Sequence, residues 1–186
     1  FGIDYDDFAA IDIPELNRPD GGRVINVNSE KYMLYNDYFL GIYDSITDSS
    51  RNVIYKNTAD KIKKLADDKN FGYLFKNIYS LMEVLAVKND LGIRTRSAYK
   101  EQNRQELKAI VADYEKTEKL LADFLNAFTS QWYEENKPFG IEIHETRIGG
   151  LIQRTKSCRK RLEKYLSGDI DRIEELEQTI LDPECN

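Results

Sequence analysis

Between residues 141 and 165 the apolar and neutral side chains Ile141, His144, Ile148, Leu151, Thr155, Cys158, Leu162 and Tyr165 follow one another in alternating steps of three and four. This is heptad spacing, which keeps all of them on one stripe of an α-helix. A strand, with its period of two, would divide them between opposite faces. A stripe this long must be covered by other helices, so the segment dictates helix-on-helix packing. The segment before it supplies a partner. Over residues 104–135, Leu107, Ile110, Val111, Tyr114, Leu121, Phe124, Leu125, Phe128 and Trp132 keep to the same steps. Pro138 closes this helix, because proline lacks the amide a helix interior needs. Gly168 ends the following one, as a residue free to turn left-handed at the C-terminus.

The helical period begins near residue 58. Thr58 reads as an N-cap, followed by the stripe Ile62, Leu65 and Ala66. A helix over 71–91 carries Leu74, Ile78, Leu81, Met82 and Leu85, with Gly92 placed to terminate it. A short helical piece follows over 93–100, and a last helix over 171–181 shows Ile173, Leu176 and Ile180. Short loops between amphipathic helices make neighbours antiparallel. The expectation is a mainly α fold: an antiparallel up-down bundle over 58–186, with Leu74, Ile78, Leu85, Leu121, Phe124, Leu151 and Leu162 buried. Residues 1–57 read as an irregular segment with at most a short strand. They hold Pro14 and the turn-like run Pro19-Asp20-Gly21-Gly22. Lys31-Tyr32-Met33-Leu34-Tyr35 is the candidate strand, ended by Asn36-Asp37, and 44–52 reads as a loop.

Composition limits the function classes. The 186 residues suit one domain, since domains run to roughly 100–200 residues. A hydrophobic share of 41% with only 10 Gly and 4 Pro describes a folded chain rather than a disordered tail. The net charge of −6 argues against nucleic acid or an anionic membrane as partner. No apolar run approaches the roughly 20 residues of a bilayer span. The opening FGIDYDDFAA has acids and no basic region, so it does not read as a signal peptide, and a cytoplasmic location is expected. A chain that opens on Phe1 reads as part of a longer protein.

Chemistry has few candidates. His144 is the single histidine and lies on the heptad stripe, where an interhelical contact is the default role. Cys158 stands on the same helix about 21 Å away at about 1.5 Å per residue, so the two cannot form a nucleophile–base pair. Cys158 and Cys185 lack metal-ligand spacing and read as lone thiols, with a disulfide as the alternative, so no metal or other cofactor is expected. Arg154, Lys156, Arg159, Lys160, Arg161 and Lys164 form a basic cluster, but Glu163 and the acidic run after Gly168 make it a salt-bridged surface. Gly149-Gly150 inside a helix suggests close approach of another element. Most paired acids, such as Asp67-Asp68 and Glu174-Glu175, lie on polar helix faces. Tyr35-Asn36-Asp37-Tyr38-Phe39 differs, because it joins aromatic rings to amide and carboxylate groups as sugar sites do.

Several stretches carry a resemblance. The run 135–140 (ENKPFG), the run 147–154 (RIGGLIQR) with Lys156-Ser157-Cys158, and 168–177 (GDIDRIEELE) are similar to the C-terminal helical domain of a bacterial branch of the family-20 glycoside hydrolases. Leu34-Tyr35-Asn36-Asp37 and Phe39-Leu40-Gly41 resemble the segment leading into that domain. The likeness spans nearly the whole chain. It implies a parent exo-β-N-acetylhexosaminidase that removes terminal N-acetylglucosamine or N-acetylgalactosamine by substrate-assisted catalysis. In such enzymes an adjacent Asp-Glu pair on a (β/α)₈ barrel orients the substrate's acetamide and supplies the acid. No Asp precedes a Glu directly anywhere in this chain, and a barrel needs about 250 residues. The chain is therefore expected to be a non-catalytic domain whose partner is the barrel of the same polypeptide, meeting glycan only through that parent.

Two placements follow from the resemblance. If 32–35 is a late barrel strand, then Tyr35, Asn36 and Asp37 border the sugar site, since barrel enzymes keep functional residues at strand C-terminal ends. The apolar residues Phe8, Ile11, Ile13, Leu16, Phe39, Leu40 and Ile42 lack a clear helical stripe; some are expected to pack against the barrel, and in the chain alone to lie loosely over the bundle, be mobile or bury themselves in a second copy. Two other readings stay open. One is a free-standing dimerising module with an exposed heptad face; the other is a carbohydrate-binding module with coplanar exposed rings.

Overall fold

The computed structural model describes residues 2–4 and 29–180. Six α-helices follow in order: α1 Ser29–Tyr35, α2 Arg51–Lys63, α3 Gly72–Lys88, α4 Leu91–Lys100, α5 Arg104–Glu135 and α6 Ile141–Ser167. Short 3-10 turns occur at Asp44–Ile46 and Glu174–Glu177, and no strand is present among the described residues. α2 packs on α3, α3 on α5, α4 on α5, and α5 on α6.

The two long helices run antiparallel. Phe128 and Trp132 of α5 meet His144 near the start of α6, Leu121 and Phe124 share a core with Ile148 and Leu151, and Arg104 reaches the carbonyl of Leu166. Local chemistry fixes their ends. The Asn103 side chain accepts the Glu106 amide at the start of α5, a cap the spacing argument did not single out. Gly168, at φ 86°, turns left-handed and donates its amide to Lys164 O, which satisfies a terminal carbonyl. The heptad stripe of α6 is buried at Ile141, Ile148, Leu151, Thr155, Cys158 and Leu162. Each large apolar side chain so covered contributes roughly 1.5–3 kcal/mol before conformational entropy is subtracted.

Several expectations need correction. Residues 31–35 are helical, with the Asn36 amide on the Tyr32 carbonyl at 2.7 Å. Five residues are too few to separate a period of two from one of 3.6, and here Met33 and Leu34 are both buried, which α-helical geometry allows and strand alternation does not. α2 starts at Arg51, so Thr58 is a buried interior residue and not a cap, and residue 57 lies inside the helix. The break expected at Gly92 falls instead at Asn89 and Asp90, with Gly92 in the first turn of α4. Its reason for being glycine is packing: a Cβ there would stand 2.9 Å from the Tyr38 carbonyl oxygen. On α3 the buried stripe is Phe75, Met82, Val84 and Leu85, so Leu74 and Ile78 are only half-buried; Leu85, Leu121, Phe124, Leu151 and Leu162 are buried as expected. The stretch 171–180 forms one 3-10 turn where a helix was expected; Leu181, Cys185, Phe8, Ile11, Ile13 and Leu16 lie outside the described residues.

The core has two parts. Met33, Leu34, Tyr55, Ala59, Met82, Leu85, Leu121, Phe124, Ile148 and Leu151 form one. Tyr38, Phe39, Leu91, Ala98, Leu107, Ile110, Tyr114, Cys158, Leu162 and Ile173 form the other. The chain passes from one to the other through polar residues: Asn36 and Asp37 after α1, Lys88 at the end of α3 with Asn89 and Asp90 after it, Thr117 on α5, Arg154 and Thr155 on α6. Of these, only Asp37 and Arg154 are not fully buried. A polar layer therefore separates two apolar ones, and it holds Asn36, Asp37 and Arg154.

Candidate functional site

The layer is built around the turn 36–44. Asn36 is 8% exposed, and its side chain donates to the Asp44 carboxylate at 3.1 Å and accepts the Tyr43 amide at 3.2 Å. The Asp37 carboxylate accepts the amides of Phe39 and Leu40, so it fixes the turn that follows it. Across the layer it receives a two-pronged contact from Arg154, Nε to Oδ2 at 2.7 Å and Nη2 to Oδ1 at 2.9 Å. Burial alone would raise the Asp37 pKa. The bonds from Arg154, Leu40 and Phe39 outweigh it and hold the carboxyl below its ordinary value. Arg154 also donates to Glu175 at 2.8 Å, and its own pKa rises, chiefly through the Asp37 bond.

Beneath the turn lies Lys88, 3% exposed. Its Nζ donates to the carbonyls of Asn36 at 2.7 Å and Met33 at 3.0 Å, the last turn of α1. It also stands 4.4 Å from the centre of the Tyr38 ring. Burial pulls the ammonium pKa down to about 7, with weaker opposition from Asp37 and Cys158. Tyr38 hydrogen-bonds Thr155 at 2.8 Å, Thr95 bonds Tyr114 at 3.1 Å, and Arg96 donates to the Tyr38 carbonyl and pairs with Asp44. No sequence signal marked Lys88 or Arg96, because each reads as a surface residue on an amphipathic helix.

The expected site residues are thus adjacent but differ in what they leave free. Asn36 and Asp37 are occupied by partners within the fold, whereas Tyr35 is 38% exposed, and partial burial raises its pKa against a weaker opposing effect of the Arg147 charge. Because 32–35 is helical, these residues do not follow a barrel strand. Of the apolar residues that follow, Phe39 is 1% exposed and belongs to this domain's second core, while Leu40 at 44% and Ile42 at 39% face outward.

Other candidates settle into structural roles. The His144 ring lies 5.0 Å from Phe128 and 5.2 Å from Trp132, an interhelical aromatic contact. Cys158 is a free, buried thiol, and burial pushes its pKa up to about 12, which makes thiolate chemistry unfavourable. The basic cluster is salt-bridged: Arg159 to Glu118 and Glu163, Arg161 to Glu174. Gly149 and Gly150 depart from expectation, since a Cβ at either would meet nothing within 4 Å. No group of three His, Cys, Asp or Glu among the described residues is placed to hold a metal.

A groove of about 830 Å³ opens between α4, the end of α6 and the tail, lined among others by Tyr99, Lys100, Tyr165 and Glu177. Its two rings are 5.0 Å apart and cross at 52°, and the Tyr99 hydroxyl is engaged with Glu177 and the Ile173 amide. This is not the coplanar aromatic platform of a sugar-binding face. The heptad stripe of α6 is likewise consumed by the core, so it is not an exposed dimerisation face.

The described residues form a mainly α domain whose polar layer joins its own two apolar layers. The family described as Glycoside Hydrolase 20C C-terminal domain matches residues 6–185, and the chain belongs to that family. It is the C-terminal domain of a family-20 glycoside hydrolase, joined to a catalytic domain in the same polypeptide. No curated protein matches the chain. None of its helices among the described residues is long and apolar enough to cross a membrane.

Proposed function

We propose that this domain is the non-catalytic accessory part of an exo-β-N-acetylhexosaminidase, which removes terminal N-acetylglucosamine or N-acetylgalactosamine with the help of the substrate's own acetamide. The observation that carries the reading is membership of the family over nearly the whole chain. The absence of any Asp-Glu dipeptide supports the division of labour: the residues that would orient the acetamide and deliver the proton belong to the catalytic domain. The turn 36–40 is fixed within the bundle by the hydrogen bonds of Asn36 and Asp37. Of the three residues proposed to border the sugar, Tyr35 has free surface for contact; Asn36 and Asp37 act by holding that turn in place.

Two measurements test this. The purified chain and the full polypeptide are assayed with a chromogenic N-acetylglucosaminide. Turnover by the full polypeptide and none by the chain alone is expected; turnover by the chain above a buffer blank would falsify the assignment. Tyr35→Ala in the full polypeptide should raise KM or lower kcat/KM by several-fold. A value within twofold of the parent removes the turn from the sugar site and leaves the accessory assignment standing.

A further inference from the structure

Cations from three different helices tie the turn 36–44 and the end of α1 to the bundle. Lys88, the last residue of α3, donates to the carbonyls of Met33 and Asn36. Arg96 of α4 donates to the Tyr38 carbonyl and pairs with Asp44, and Arg154 of α6 grips Asp37. Met33 and Leu34 lie in the first core and Tyr38 and Phe39 in the second, so residues 33–44 cross the polar layer. The helix they extend, α1, has seven residues and is too short to persist without the bundle. By contrast, α3 packs on α5 and α5 on α6 without this segment between them.

Of the three cations only Lys88 can change charge near neutral pH, since guanidinium groups stay protonated. It is also the one without a counter-charge: no carboxylate among the described residues pairs with it, and Asp37 is taken by Arg154. An ammonium there has two carbonyls and the Tyr38 ring for its three N–H groups, so burial favours the neutral amine. The groups around it hold one state. Asp37 stays ionised, while burial keeps Tyr38 on the turn, Tyr114 on α5 and Cys158 on α6 neutral. The Asn52–Asn89 bond brings the start of α2, with buried Arg51, to this end of α3, and Asp90 pairs with Arg94.

We propose that residues 33–44 form a strap that lifts from the bundle as a unit, and that Lys88 is its pH-sensitive latch. Lifting returns the lysine to water, where it binds a proton at its ordinary pKa of 10.5; under the strap, burial pulls that value down to about 7. Between the two, opening is accompanied by proton uptake, so the open state gains as pH falls. With these values the opening constant is about 50-fold larger at pH 7 than at pH 9, and it levels off below pH 7. Such a partial opening costs less than unfolding the whole domain, because it leaves the long α5–α6 interface intact. Nothing in this device depends on what the parent enzyme hydrolyses.

Cys158 reports the opening, because it is buried with Tyr38 and Phe39 in the second core and lifting the strap uncovers it. The chain carrying Cys185→Ser is treated with an aromatic disulfide reagent at pH 7, 8 and 9 over a series of urea concentrations below the unfolding transition. Each labelling rate is divided by that of the urea-unfolded chain at the same pH, which removes the ionisation of the thiol itself. The normalised rate is expected to fall about 50-fold from pH 7 to pH 9 and to change little with urea, since little surface is exposed. The pH dependence should disappear in Lys88→Met and in Lys88→Gln, the second of which keeps an NH₂ donor for the carbonyls. A normalised rate that rises with urea as steeply as global unfolding overturns the strap, and this is read on the parent without any variant. A parent rate that varies with pH by less than about threefold, or equally in parent and variants, overturns the latch.

Discussion

Replacing Lys88 by methionine should change how the stability of this domain depends on pH. Lys88 is enclosed between α1 and α3, and burial lowers its pKa from 10.5 to about 7. Between those values the unfolded chain binds a proton that the folded chain does not, so stability rises with pH. With these two pKa values, linkage gives a gain of about 2 kcal/mol between pH 7 and pH 9. Below pH 7 the folded amine protonates too and the slope flattens. The geometry suits a neutral amine, which still has two N–H groups for the two carbonyls of Met33 and Asn36. Cys158 works in the opposite sense: its folded pKa is raised from 9.0 to about 12, so the unfolded thiol ionises first and subtracts a few tenths of a kcal/mol by pH 9. Urea unfolding followed by circular dichroism at pH 7, 8 and 9, for the parent and Lys88→Met, isolates the lysine as a difference of slopes. The parent should gain stability over this range relative to the variant. Parallel profiles would show that Lys88 remains protonated in the fold throughout, and would refute the reasoning.

The same layer and the glycines give further tests. Asp37→Ala should destabilise by about 1–3 kcal/mol, because it strips Arg154 of its two-pronged acceptor and the Phe39 and Leu40 amides of theirs; chemical denaturation measures it. Since the Asp37 pKa is held below its ordinary 3.8, its contribution is present above that pH and is lost as pH falls through the folded value, so the variant should lose less stability on acidification than the parent. Gly150→Ala in the isolated chain should stabilise by about 0.5–1 kcal/mol, whereas Gly92→Ala should destabilise because its Cβ would press on the Tyr38 backbone; thermal melts of the pair should move in opposite directions.

The long helices were legible in the sequence because they are long. Over 104–135 and 141–167 the apolar spacing repeats often enough to reject any period but the helical one, and Pro138 and Gly168 mark the ends. The role of the basic cluster was legible in part: Glu163, Glu174 and Glu175 lie close by in sequence, whereas Glu118 reaches Arg159 from α5 and Asp37 reaches Arg154 from the turn after α1. Residues 31–35 were not legible, because a window of five fits a strand as well as a helix. Only the tertiary structure decided the polar layer. Asp37 and Arg154 stand 117 positions apart, and nothing local to either marks the other. Lys88, read along α3, is an ordinary cation near a helix C-terminus; its burial is created by α1 and the Tyr38 ring arriving from elsewhere in the chain. The two kinds of glycine were likewise indistinguishable by type. Gly92 is needed because the Tyr38 backbone crosses it, and Gly150 faces open space, a difference set by what packs against each helix and not by the helix itself. Periodicity belongs to one element and is written in its sequence. Which buried charge meets which partner depends on how several elements converge, and that exists only in the assembled fold.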